Sequence, residues 1–255
     1  ANITLNGVVT DGKDAVAKLV AAEISDSANS EAIKAQAIII YTYLTFRDTN
    51  YVISGVTAAT SYSDNIKNAV EEVYGKTLTY QGKAAFTPYF AVASGKTTTA
   101  ESVYGKSYPY ITSVSSIVDR NAQGYETKKT YSKDELKSRI SAFDQSLVIP
   151  DDASKWLSIK KHDASVNSGT GYVTEMEVCG RIVSGVDFVQ KILSNELPSH
   201  CFTISFDSVK NEFTITSYGR GLGVGLSIYG ADSLAKAGQK YDNILGKFYP
   251  GTKLS

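Results

Sequence analysis

The sequence predicts an α+β fold, mixed helices with antiparallel-rich strands, on three observations. The N-terminal third carries helical apolar spacing with capping residues at each start. Residues 171–218 alternate apolar and polar positions between turn signals. Helices and strands are mixed without the regular βα alternation that a doubly wound sheet requires.

"DGKDAVAKLVAAEI" reads as the first helix, capped by Asp11, with Val16, Leu19, Val20 and Ile24 as its apolar stripe. "SEAIKAQAIIIYTYLTF" follows, with Ser30 as the expected cap and Glu31 in the first turn, where the helix dipole favours an acid. Its apolar residues cover more than one face, which predicts a central, buried helix. "SDNIKNAVEEVYG" is capped by Ser63 and stopped at Gly75. "KTLTY", the turn "QGK" and "AAFTPYFAVAS" read as strands, and they lead into "ASGKTTTAESVYG", so Glu101 is expected just beyond a strand end. Ser132 and Glu135 in "SKDELKSRISAF" form a capping box. "YVTEMEVCGRIVSG" and "CFTISFDSVKNEFTITSYG" alternate as strands, with "VDFVQKIL" a short helix between them. The Gly-rich "GRGLGVGLSIYG" precedes helices near "ADSLAKAG" and "YDNILGKFYPG". The Asp-, Ser- and Lys-rich stretch 144–170 is the expected linker between lobes 1–143 and 171–255 of a single domain spanning 1–255.

A chain of 255 residues supports a sizeable core, and 42% hydrophobic with 20% charged residues is an ordinary globular balance. Lys+Arg and Asp+Glu are equal at 26 each, so no global field draws in nucleic acid or an acidic membrane. No apolar run reaches the ~18–20 residues of a membrane span. The chain opens on "ANITLNG" without an initiator Met, which suggests a trimmed leader or anchor. Seventeen Tyr offer rings with polar tips, suited both to half-buried strand positions and to sugar contact.

Three groups compete as sites. Gly219, Gly221, Gly223 and Gly225 have a Gly-x-Gly look, but the chain ends too soon for the βαβ unit of a phosphate cradle. Those glycines fit a backbone passing tightly through the core or under a ligand. His162, Cys179, His200 and Cys201 are spaced irregularly for a zinc site. A disulfide between the two cysteines, free thiols and part of a metal site all remain compatible with that spacing. Glu101 stands in its Ser/Thr/Gly run with no His, Cys or Asp in the same stretch.

Its wider setting singles it out. "LVAAEI…SEAIKAQAIIIYTYL", "GKTLTYQGKAAFTPYFAVASGKTTTAESVYGKSYPYITSV" and "GLGVGLSIYGADSLAKAGQKYDNILGKFYPGT" occur in that order. They resemble the leading, central and closing blocks of the stage II sporulation protein D family (SpoIID, or LytB-type), and together they anchor most of residues 14–254. The resemblance implies two lobes around a groove; neither a cofactor nor a metal is expected in this chain. It also implies action on peptidoglycan glycan strands, with stem peptides removed, by lytic transglycosylation. Glu101 occupies the place of the family's single catalytic acid. An ordinary hydrolase needs a second carboxylate; a lytic transglycosylase traps the oxocarbenium-like centre with the sugar's own 6-hydroxyl, one residue serving as acid and then base. Such an acid must carry a proton, which calls for desolvation. Tyr89, Tyr104 and Tyr110 are expected to wall the site and Ser94, Thr97 and Thr98 to bond sugar hydroxyls, and Ser227 and Tyr229, which hold to the closing block, are expected to bind substrate as well.

This chain departs from the pattern at three places. The family's His and Gln of the closing block are Leu222 and Ile228, and the second Gly of the central loop is Lys96. An ammonium turned inward at Lys96 would favour the charged carboxylate. The Cys and His of a zinc site carried by some members are missing from "SSIVDRNAQGYETKK". Two readings follow: a sporulation or wall-turnover lyase using Glu101, or a divergent wall-glycan-binding protein or amidase enhancer. Either implies an extracytoplasmic place, in the cell wall or intermembrane space, with an amidase and other wall-remodelling proteins as partners and membrane contact only through a removed anchor.

Overall fold

The computed structural model describes residues 2–47, 51–167 and 170–255. In chain order the first part gives β1 (Asn2–Leu5), β2 (Val8–Asp11), α1 (Gly12–Glu23), α2 (Ser30–Phe46), β3 (Val52–Ile53) and α3 (Asp64–Val73). Three short strands follow: β4 (Leu78–Tyr80), β5 (Lys83–Ala84) and β6 (Tyr89–Phe90). The middle gives α4 (Ala100–Tyr104), β7 (Glu126–Ser132), α5 (Lys133–Phe143), β8 (Leu157–Asn167), β9 (Thr170–Val178) and β10 (Arg181–Val183). It continues with α6 (Gly185–Asp187), a π-helical turn over Phe188–Ile192, β11 (Phe202–Asp207) and β12 (Glu212–Tyr218). The last part gives β13 (Leu226–Ser227), α7 (Ile228–Lys236), α8 (Tyr241–Phe248) and β14 (Lys253–Leu254). The fold is α+β.

Two compact units share these elements. The first comprises residues 1–91, 108–112 and 225–255, the second 92–107 and 113–224. The stretch 144–170 falls within the second unit, where residues 157–167 form β8; its residues 168 and 169 lie outside the described ones.

The first unit is organised around α2, which packs against α1, α3, α7 and α8. Ile33, Ile38 and Ile39 are fully buried, as a helix that is apolar on more than one face requires. Asp11 caps α1 by accepting from the Lys13 and Asp14 amides, and Ser63 caps α3 through the Ile66 amide. The α2 cap is Asn29 rather than Ser30, its side-chain oxygen accepting from the Glu31 amide at 3.0 Å. Its strands make a β2-β1-β3 sheet, a β14-β4-β5 sheet and a parallel β13-β6 pair.

The second unit holds two antiparallel three-stranded sheets, β10-β9-β8 and β11-β12-β7, each with a hairpin. Cys179 and Gly180, both at positive φ, make the two-residue turn joining β9 and β10. Between the sheets and α5 lies a core containing Trp156, Phe213, Phe188, Phe202 and Met176. Trp156 stacks on Phe213 at 5.7 Å and donates its indole N–H to the Pro150 carbonyl at 2.6 Å. Ser132 accepts from the Glu135 amide as a capping box requires, but the Glu135 carboxylate turns to Arg139 instead of back to the cap.

Candidate active site

The run from Val92 to Tyr104 belongs wholly to the second unit. The expected strand over "AAFTPYFAVAS" is only two residues long, and beyond it the chain is held by isolated bridges on both edges. On one edge, Val92 and Arg220 exchange amide-to-carbonyl bonds of 3.0 and 2.8 Å, and the Thr98 amide reaches the Gly223 carbonyl at 2.7 Å. On the other, the Thr97 amide bonds the Val114 carbonyl at 2.8 Å and the Ser116 amide bonds the Gly95 carbonyl at 2.9 Å. The Gly-rich run is therefore a neighbour that must pass close. At Gly223, φ is +75° and an added Cβ would meet the Tyr172 ring at 2.5 Å. Buried Tyr172 in turn accepts from the Ser94 amide and donates to the Lys96 carbonyl, both at 3.1 Å.

Two carboxylates tie down the ends of this run. Fully buried Asp119 accepts from the Ala93 amide at 2.6 Å and the Ser116 hydroxyl at 2.7 Å. Asp163, from β8, accepts from the Thr98 hydroxyl, the Thr99 amide at 3.4 Å and the Thr99 hydroxyl at 3.5 Å. Thr99 then caps α4 through the Ser102 amide, and Gly105 ends that helix in the left-handed region. Glu101 is thus in the first turn of a five-residue helix, with an exposed side chain.

Glu101 opens onto a shallow depression of about 480 Å³, lined also by Thr99, Ser102, Lys161, His162, Asp163 and Thr174. Three consecutive residues of one strand on one depression break the usual alternation of faces. The cause is a slipped register: Lys161 pairs with Glu175 but His162 pairs with Val173, with further shifts on either side. Lys161 is ion-paired to Glu175 at 2.7 Å. Burial lowers the pKa of the His162 imidazole below its ordinary value, and its Nε2 is buried without a hydrogen-bond partner. His200, tilted against the Tyr172 ring at 5.0 Å, is pushed down to about 4 by burial, with the nearby Asp163 charge acting the other way. Lys96 is not part of the lining.

The expected site residues separate. Glu101, Ser94, Thr97, Thr98 and Tyr104 are in the second unit; Tyr89, Tyr110, Ser227 and Tyr229 are in the first. Ser94, Thr97 and Thr98 are buried, which corrects the expectation that they offer hydroxyls to a sugar. Thr97 Oγ1 accepts from the Val114 amide, and the Thr98 hydroxyl serves Asp163. Tyr104, at the end of α4, is 46% exposed. In the first unit, Tyr110 is a core ring whose oxygen accepts from the Phe86 amide, and buried Ser227 is the α7 cap, accepting from the Gly230 amide. Neither presents a polar group to solvent as a sugar contact would. Tyr229 is partly buried. Tyr89 bonds Glu23, whose carboxyl is held above the usual range by desolvation. Asp163 did not stand out in the sequence, and His162 did so only as part of an irregularly spaced candidate zinc set. Cys179 and Cys201 are both free thiols. Leu222 lines a separate cleft of about 210 Å³ together with His200.

A family model described as Stage II sporulation protein matches residues 9–80, the part from β2 to β4. Stage II sporulation protein D of Bacillus subtilis (strain 168) is 29% identical over 199 residues, covering 77% of this chain and 53% of the relative. The chain is similar to the stage II sporulation protein D family, as a divergent relative. Its counterpart in Bacillus amyloliquefaciens is 26% identical, with 76% of this chain and 53% of the relative covered. An amidase enhancer of Bacillus subtilis (strain 168) is 25% identical, covering 91% of this chain and 39% of that protein. The chain thus spans about half the length of the first two relatives.

Proposed function

We propose that this protein cleaves cell-wall glycan strands by lytic transglycosylation, with Glu101 as the acid and then the base. The observation that carries the reading is an exposed carboxylate on a rigidly bonded turn, opening onto a depression large enough for sugar rings. Similarity to the stage II sporulation protein D family supports a role at the wall. In the step proposed, Glu101 gives its proton to the glycosidic oxygen as the C1–O bond breaks. The 6-hydroxyl of the same sugar closes on C1 and returns its proton to Glu101, leaving a 1,6-anhydro end. No water is consumed, so no second carboxylate is needed to activate one. The desolvation that keeps a proton on a general acid comes from the bound sugar, because the free protein leaves Glu101 exposed.

A second reading is favoured by Leu222 and Ile228, which replace groups able to orient a sugar, and by the likeness to an amidase enhancer. On it, the protein binds wall glycan or modulates an amidase without cutting. We place either activity outside the cytoplasm; among the described residues no helix is long and apolar enough to cross a membrane. Incubation with peptide-stripped and intact peptidoglycan, followed by mass spectrometry for anhydro-muropeptides, separates the readings. Products from the wild type and a loss of at least ~10²-fold in Glu101→Gln are expected. Retained glycan binding without anhydro ends from either substrate sinks the lyase.

A further inference from the structure

Asp163 is the second carboxylate of the Glu101 depression, and its bonds decide what it does there. It comes from the other wall, delivered by the slipped register of β8, and lies 62 positions further along the chain than Glu101. Its Oδ2 accepts from three groups of two adjacent residues: the Thr98 hydroxyl, the Thr99 amide and the Thr99 hydroxyl. Those are the last two residues before α4. The Thr99 hydroxyl that donates to Asp163 also accepts from the Ser102 amide at 3.3 Å, so the cap of the Glu101 helix is anchored through one side chain to β8. A five-residue helix has little cooperativity of its own, and its direction depends on such anchors. The remaining anchors described for the run, at residues 92–97 and the Thr98 amide, all lie before Thr99. Asp163 alone among the described anchors reaches the capping residue itself from another strand.

We propose that Asp163 is a positioning residue for Glu101, holding the α4 turn so that the acid faces the depression at a fixed place. The proposal rests on the glycan-cleaving reading of Glu101 for its catalytic consequence, and on the bonding alone for its structural one. With three donors on its Oδ2, the carboxylate is assigned to orienting the turn, and the Asn variant below tests whether its charge also serves the chemistry.

Two variants and two measurements test this. Asp163→Asn keeps an oxygen that accepts from the threonines, and Asp163→Ala removes it. Tryptophan fluorescence from Trp156, in the core of the same unit, checks that each variant folds. Hydrogen exchange on the free proteins is expected to accelerate by ~10-fold or more at the amides of residues 99–105 in Asp163→Ala, with Asp163→Asn near wild type and the β11–β12 hairpin unchanged in both. On stripped glycan strands, Asp163→Ala is expected to lose ~10²-fold in kcat with KM little changed, and Asp163→Asn to recover most of it. Wild-type exchange in Asp163→Ala overturns the positioning role. So does an Asp163→Asn variant that is as inactive as Asp163→Ala while its exchange is normal, because the charge itself would then be needed in the chemistry. If the wild type forms no anhydro ends, the lyase reading falls, and exchange alone decides whether Asp163 anchors the turn.

Discussion

Lowering the pH should destabilise the second unit through His200, by an amount that can be worked out. The imidazole is buried at 3% exposure, its Nδ1 has no hydrogen-bond partner, and burial pushes it down to about 4 from the ordinary 6.5. Between those values the unfolded chain binds a proton at this position and the folded chain does not. Stability therefore falls as pH drops through that window, and the contribution is fully present only above 6.5. At ~1.4 kcal/mol per pKa unit, the whole window corresponds to about 3 kcal/mol, and about 2 kcal/mol is lost by pH 5. His162 acts in the same direction, so the measurement must isolate His200. Urea unfolding of the wild type and of His200→Leu, followed by the fluorescence of Trp156, the chain's one tryptophan, does so at pH 7.5 and pH 5. The stability difference between the two proteins is expected to move by about 2 kcal/mol in favour of the variant on acidification. A difference that stays within ~0.5 kcal/mol between the two pH values refutes the argument that a buried neutral imidazole is at work.

Gly223→Ala forces an L side chain to φ +75° and drives its methyl into the Tyr172 ring. A loss of ~2–3 kcal/mol in urea unfolding is expected, and a loss under ~1 kcal/mol shows that the contact is not tight. Cys201 is buried, with its thiol pushed up to about 11 by burial, so in the native protein at pH 8 a disulfide reagent should react with Cys179 and leave Cys201. In denaturant without reductant both thiols should titrate; finding none there reveals a disulfide.

The helical half of the fold was legible because its signals are local. Asp11 and Ser63 cap the helices they precede, and the all-round apolar character of α2 announced its central place. The cap of α2 lies one residue earlier than expected because the Asn29 side chain reaches the Glu31 amide and draws Ser30 into the first turn. The strand extending to Ser94 was overread for a different reason. Its apolar alternation is real, but Val92, Lys96 and Thr98 each find a partner for one bridge only, in segments that sequence spacing cannot bring together. The hydroxyls of Ser94, Thr97 and Thr98 looked available for the same reason, since a Ser/Thr-rich run reads as a solvated loop until its neighbours at 113–116 and 220–224 are known.

Asp163 shows what kind of information was missing. In "LSIKKHDASVN", simple alternation sends His162 and Asp163 to opposite faces, so neither could be paired with Glu101 by pattern. The register of β8 shifts just before His162 and again after Asp163, and such shifts are a property of the partner strand as much as of the residues themselves. The consequence reaches the chemistry. A second acid beside Glu101 would by itself suggest hydrolysis, with one carboxyl to protonate the leaving group and another to activate water. Asp163 spends its Oδ2 on Thr98 and Thr99 instead, and on the proposed reading Glu101, which also lines the depression, is the acid. On that proposal the site has one working carboxyl and an open mouth, so the desolvation must come from the sugar. Short glycans that fail to cover Glu101 should then be bound yet cut slowly, a loss in kcat and not in KM alone.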